Sequence, residues 1–215
     1  MDGQTAVITG ASRGIGNAVA HAFADAGAHV VVCARDRDAI EATADAIRKA
    51  GGSVTAMRAD VRDEFDVERL LERAAREGGT IDTVVANAGV YHGTPGETPL
   101  FGDSYAAFDD HLRTNARGVF ATIREALPHL APDARVFVSS GVVAREARAG
   151  FGSYAVSKAA AESVAMHFAA DIEQTVGVVD PGQVATDLTG HEGRDTADVA
   201  LQFRWAATDA DATLV

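Results

Sequence analysis

Apolar residues along this chain fall into two alternating patterns. Short runs rich in β-branched residues read as strands: Thr5–Thr9, Val30–Cys33, Ser53–Arg58, Thr83–Ala86, Arg135–Ser139 and Val176–Val179. Between them lie alanine-rich stretches with apolar residues at helical spacing. These predict helices over Ile15–Ala26, Ala39–Ala50, Val67–Glu77, Asp109–Leu127, Ser153–Ala170 and Ala197–Ala207. Asp38 and Asp63 are the predicted N-caps, and Gly27 and Gly51 the predicted C-terminal stops. Strand and helix alternating in this way imply right-handed crossovers and an α/β fold, a doubly wound parallel sheet covered on both faces. In such a sheet the site lies at the carboxyl ends of the strands.

Length and composition narrow the picture. The 215 residues, free of repeats and linker-like segments, predict one domain over 1–215. A hydrophobic share of 47% with 23% charged residues excludes a disordered or collagen-like chain. No run of 18 apolar residues occurs and the N-terminus carries no secretory pattern, so the expectation is a cytoplasmic protein without a membrane partner. The single cysteine, Cys33, falls in an apolar run and reads as a buried thiol. Thirty-one acidic against 19 basic residues give a net charge of −12, which argues against nucleic acid as a partner. The only lysines are Lys49 and Lys158. An acidic, lysine-poor surface suits concentrated salt, where counter-ions screen self-repulsion; codon usage in a high-GC genome gives the same bias.

The predicted strand-end loops carry the candidate chemistry. The first strand runs into Thr9-Gly10-Ala11-Ser12-Arg13-Gly14-Ile15-Gly16 and then a helix. Glycines there allow a tight turn and close approach of the backbone to a pyrophosphate, which the free N–H groups of the helix end would bind. The seven histidines show no ligand spacing, so no metal site is predicted. Tyr154 and Lys158 are four apart and share a helix face. With three tyrosines and two lysines in 215 positions, chance supplies only about 0.03 such pairs. A nearby ammonium favours phenolate, so the Tyr154 pKa is expected to fall from about 10 towards working pH, as a general acid/base requires.

In these motifs and their order the chain resembles the short-chain dehydrogenase/reductase family, over residues 5 to about 190. The glycine turn (Gly10, Ser12, Arg13, Gly14, Ile15, Gly16) is similar to the family's phosphate turn, and Asp60-Val61 to its adenine-holding pair. Asn87-Ala88-Gly89 matches the tail of Asn-Asn-Ala-Gly, with Ala86 in place of the first Asn. Asn115 matches the catalytic asparagine, and Tyr154-Ala-Val-Ser-Lys158 the Tyr-x-x-x-Lys motif. Pro181-Gly182-Gln-Val184-Ala-Thr186 resembles the loop that holds the nicotinamide carboxamide.

The resemblance implies a Rossmann-type fold, here with six strands and the family's usual seventh missing. It also implies an enzyme that interconverts an alcohol and a ketone or aldehyde by hydride transfer with NAD(P). Tyr154 would transfer the proton, Lys158 lower its pKa and bind the nicotinamide ribose, and Asn115 hold a relay water. Ser139 and Ser140 both end the fifth strand, and Ser140 is preferred for polarising the substrate oxygen, with a bulge in Gly141–Gly152 absorbing a one-residue excess in spacing.

Arg145 and Arg148 are within reach of an acidic substrate but read more simply as solvated loop charges. His92–Pro99 reads as a loop at the pocket mouth. Where NAD-using relatives end the second strand with an acidic residue, this chain has Ala34 followed by Arg35, which with Arg13 favours NADP over NAD; Asp36 turned inward is the opposing possibility. A short lid over Asp187–Asp195 and the close of the chain at Asp211–Val215 suggest an open site. A homodimer is expected, with a homotetramer the other family option. A cofactor-binding sensor or scaffold of the same fold is one rival function; an epimerase or dehydratase that uses a tightly held dinucleotide is the other.

Overall fold

The computed structural model describes residues 1–209, so the Asp211–Val215 segment lies outside the described residues. Six parallel strands form one sheet in the order β3-β2-β1-β4-β5-β6. They are β1 (Thr5–Thr9), β2 (His29–Ala34), β3 (Ser53–Arg58), β4 (Ile81–Ala86), β5 (Leu130–Ser139) and β6 (Thr175–Val179). This is the doubly wound α/β sheet that the alternation predicts. The chain steps outward from β1 to β3, then crosses to β4 and steps the other way, so the carboxyl ends of β1 and β4 form the switch point.

Two apolar layers hold the sheet, and the period of two along the strands divides them. Ala6, Ile8, Val30 and Val32 point to one face, where helices α1 (Gly14–Asp25), α2 (Arg37–Lys49) and α7 (Thr196–Thr208) supply Phe23, Ile40, Ile47 and Phe203. Val7, Val31 and Val84 point to the other. There α3 (Glu64–Gly78), α5 (Gly118–Ala126) and α6 (Gly152–Asp171) bring Leu70, Leu71, Ile123 and Ala161.

Three sequence expectations are corrected. The cap of α2 is Asp36, whose carboxylate accepts from Ala39 N–H at 3.0 Å; Asp38 lies inside the first turn, where its charge suits the helix dipole. Asp63 does cap α3, as predicted. Strand β5 starts at Leu130, five residues before the apolar run, because Leu130 pairs with Ile81 across a register shift. The long fourth helix is not uniform. Helix α4 (Tyr105–His111) passes into a π-helical turn, Leu112–Arg117, before α5. No periodicity marks that turn, because one inserted residue only rotates the apolar stripe. Its position around Asn115 fits the tendency of such widened turns to sit at functional places.

Candidate active site

A cavity of about 450 Å³ opens at the carboxyl ends of β1, β2, β4, β5 and β6. Its floor at the switch point is the glycine turn. Gly10 has φ +68°, and a side chain there would put its Cβ 2.7 Å from Ala88 Cα. Asn87 braces the turn from β4: its Nδ2 donates to Thr9 O at 3.1 Å and Gly10 O at 3.2 Å. Thr9 Oγ1 in return accepts from Asn87 N–H and Ala88 N–H. No side chain caps the N-terminus of α1, which leaves its first N–H groups for an anion. Gly10, Ser12, Arg13, Gly14 and Ile15 line the cavity, as do Asn87, Ala88 and Gly89. Gly16 does not; it lies beneath the turn, where a Cβ would meet Gly10 O at 2.5 Å.

Ser140, Tyr154 and Lys158 line the same cavity at the opposite end. Ser140 Oγ is buried without a hydrogen-bond partner, whereas the Ser139 main-chain oxygen accepts from Lys158 Nζ at 3.0 Å. Residue Tyr154 is half-buried, and its ring packs 4.7 Å from that of Tyr91. Lys158 Nζ stands 5.7 Å from the Tyr154 ring centroid.

The expected fall in the Tyr154 pKa is overturned in this arrangement. Burial, with Tyr91 adding to it, pushes the phenol up to about 12. Burial also pushes Lys158 down to about 8, against the pull of Glu162 one turn along α6. Both shifts have one cause: each group's charged form has lost water. In this state the phenol is a proton donor and the ammonium is still mostly charged at neutral pH.

The drop at Lys158 from 10.5 to about 8 corresponds to a penalty of about 3 kcal/mol at pH 7. Between those values the folded protein holds fewer protons than the unfolded chain, so this group makes stability rise with pH there. Lys158→Met removes the penalty and loses about 1 kcal/mol of hydrogen bond to Ser139. The ligand-free variant is therefore expected to melt a few degrees higher at pH 7. Its melting temperature should also lose most of the wild-type rise between pH 8 and 10.5. Thermal unfolding against pH checks both; a variant that melts lower at pH 7 contradicts the account.

Asn115 does not line the cavity. It is buried in the π-helical turn, where its amide makes three hydrogen bonds: Nδ2 donates to Val90 O and Ser157 Oγ at 2.9 Å each, and Oδ1 accepts from Val90 N–H at 2.8 Å. The loop after β4 is thereby tied to α6. Thr114, the preceding residue, does line the cavity, and its buried hydroxyl has no partner. Sequence reasoning missed Thr114 although it adjoins a recognised position, because only the widened turn aims it inward. Val90 and Leu188 were missed as well.

At the β2 end, Arg35 is exposed at the cavity rim. Asp36 lines the same rim, and its carboxylate also accepts the capping bond from Ala39 N–H. Burial alone would raise the Asp60 carboxyl, but hydrogen bonds from Arg62 outweigh it and hold the group below the usual range. Val61 lies beside it on the cavity wall. Arg13 reaches over to Asp187, 3.1 Å away, in the short helical turn Asp187–Thr189. Pro181, Gly182, Val184 and Thr186 complete the lining. Arg145 and Arg148 are exposed, as the reading of solvated loop charges expects; Arg148 pairs with exposed Glu146, and Arg145 also pairs with Asp180.

The family pattern described as short chain dehydrogenase matches residues 4–197, from β1 into α7. The chain belongs to the short-chain dehydrogenase/reductase family. Among its curated relatives in that family, it is 35% identical to the versicolorin reductase of Emericella nidulans over 195 residues, 87% of this chain and 72% of the relative. It is 34% identical to elsinochrome reductase 1 of Elsinoe fawcettii, over 87% of this chain and 71% of the relative. Solved structures of the family superpose closely. A short-chain dehydrogenase from Burkholderia cenocepacia in complex with NADP gives a TM-score of 0.87 at 28% identity, over 96% of this chain and 91% of that one. An alcohol dehydrogenase from Thermococcus sibiricus complexed with 5-hydroxy-NADP gives 0.89 at 27% identity, over 99% and 94%. The chain is thus an oxidoreductase-family protein, with a six-stranded parallel sheet among the described residues.

Proposed function

We propose that this short-chain dehydrogenase/reductase uses NADP(H) to interconvert an alcohol and a ketone or aldehyde. The observation that carries the reading is that Ser140, Tyr154 and Lys158 line one cavity with the glycine turn. The residues present fit a dinucleotide. The open end of α1 and the close approach at Gly10 suit a pyrophosphate, and the buried hydroxyl of Thr114 on the cavity wall has no partner within the protein. Bound there, the nicotinamide supplies or accepts the hydride.

The chain's own residues do the rest. Ser140 donates a hydrogen bond to the substrate oxygen and polarises it. Tyr154, kept protonated by burial, delivers the proton to that oxygen in the reductive direction. Lys158 stabilises the phenolate left behind and holds the nicotinamide ribose. Asn115 braces the loop after β4 against α6 with both amide hydrogens engaged, and lies outside the cavity lining, so the relay water falls to the main chain of its widened turn. Val61 and Asp60 would hold the adenine and Arg35 the 2′-phosphate, with Arg13, now paired with Asp187, a second partner for that phosphate. The NADP-bound structural relatives support the cofactor choice.

NADPH oxidation, followed with a panel of ketones, aldehydes, keto acids and sugars, tests the reading. Turnover with at least one carbonyl class is the expected result. Tight NADPH binding with no turnover across the panel favours a sensor instead.

A further inference from the structure

Tyr154 can serve as an acid only if its ring is held, and α6 does not cap its own N-terminus to hold it: the preceding Phe151 offers no side-chain acceptor. Asp103, from the loop before α4, acts in its place. Its Oδ2 accepts from Ser153 N–H at 2.6 Å and also contacts Ser153 Oγ. Such an approach needs Gly152, which has φ +47° and whose Cβ would stand 2.6 Å from the same oxygen. Behind Ser153 lies His111, at the end of α4, with Nδ1 2.7 Å from Ser153 Oγ. Both side chains are buried, His111 at 1% and Ser153 at 0% exposure.

The direction of this chain is fixed by its far end. The main-chain N–H of His92 donates to His111 Nε2 at 2.9 Å, so Nε2 is an acceptor and Nδ1 carries the hydrogen. Nδ1–H then donates to Ser153 Oγ, which leaves the serine hydroxyl to donate to Asp103. Every donor has one acceptor. The network is anchored beyond His92, whose Nε2 is 2.8 Å from Asp110, itself paired with Arg62 from the loop after β3. The groups facing His111 are the rings of His92, Tyr91 and Tyr154, at 4.9, 5.9 and 6.1 Å, with Asp103 and Asp110 the nearby charges.

We propose that His111, Ser153 and Asp103 are positioning residues for Tyr154: a one-way chain of hydrogen bonds that fixes the first turn of α6, and hence the direction of the phenol. The proposal rests on the reading of Tyr154 as the proton donor. None of the three needs to touch substrate. Their effect passes through the peptide joining Ser153 to Tyr154 and through the packing of the His111 ring.

Three variants test this: Ser153→Ala, His111→Phe, which keeps a ring and loses both hydrogen bonds, and the milder Asp103→Asn. Turnover is read with NADPH and phenanthrenequinone as an activated carbonyl probe, and cofactor binding by nicotinamide fluorescence. Ionisation of Tyr154 is read at the tyrosinate band, as the difference between each protein and its partner carrying Tyr154→Phe. Ser153→Ala and His111→Phe are expected to lower kcat about ten- to a hundredfold. NADPH affinity and the KM for the probe should stay near wild type. The Tyr154 midpoint should move down towards that of a solvated phenol, as water reaches the loosened ring; Asp103→Asn should shift both readouts in the same sense and less. Loss of stability alone would not move that midpoint in the folded protein. Folded Ser153→Ala and His111→Phe with wild-type kcat and an unmoved midpoint overturn the proposal. When Tyr154→Phe is inactive in the same assay, that failure belongs to the positioning chain alone; an active Tyr154→Phe overturns the underlying reading instead.

Discussion

Tyr154→Phe is expected to lower kcat for carbonyl reduction by about 10²–10⁴-fold, the usual worth of a positioned general acid. The substitution removes one hydroxyl and keeps the ring, so packing against Tyr91 and His111 survives. NADPH affinity should therefore stay close to wild type. The protonation state gives the prediction a second handle. Burial holds the phenol up at about 12 and Lys158 down at about 8 in the ligand-free protein. Reduction needs the phenol protonated, so its rate should hold through neutral pH. Steady-state kinetics on both proteins check the effect. A Tyr154→Phe variant with more than about a tenth of wild-type kcat would exclude the phenol as the main acid.

Arg35→Ala is expected to erase much of a preference for NADPH over NADH while scarcely changing NADH affinity. Arg35 is exposed at the cavity rim. The nearest acidic candidate for a ribose ligand, Asp36, lines the same rim and also caps α2. A charge-assisted hydrogen bond contributes about 1.5–3 kcal/mol, which is roughly ten- to a hundredfold in affinity. Two arginines on one phosphate would exceed that, but Arg13 is shared with Asp187 in an exposed pair, and exposed pairs are weak. Arg35 should therefore carry the larger part. Fluorescence titration of both cofactors against wild type and Arg35→Ala measures it. Equal wild-type affinity for NADH and NADPH would remove the basis of the assignment.

Local pattern was enough to specify the sheet and the position of the cavity. Six β-branched runs alternating with helical stretches leave a doubly wound parallel sheet as the way to bury both faces, and the glycine turn after β1 then has to lie at the switch point. Gly10, Tyr154 and Lys158 were legible because their chemistry depends on local spacing: a turn that only glycine permits, and two side chains one helical turn apart.

Tertiary structure decided what depends on surroundings. The pair Tyr154 and Lys158 suggested a lowered phenol pKa, yet burial reversed the sign, because desolvation is set by everything packed around a group and not by its neighbours in sequence. Asn115 was found by motif, but the π-helical turn withdrew its amide from the cavity and turned Thr114 towards it. Asp36, read as a possible ribose ligand in the sequence, lines the cavity and also caps α2. His111, Ser153 and Asp103 carried no signal at all: they lie 8 and 42 residues apart along the chain, and only the packing of α4 against α6 makes them one hydrogen-bonded unit.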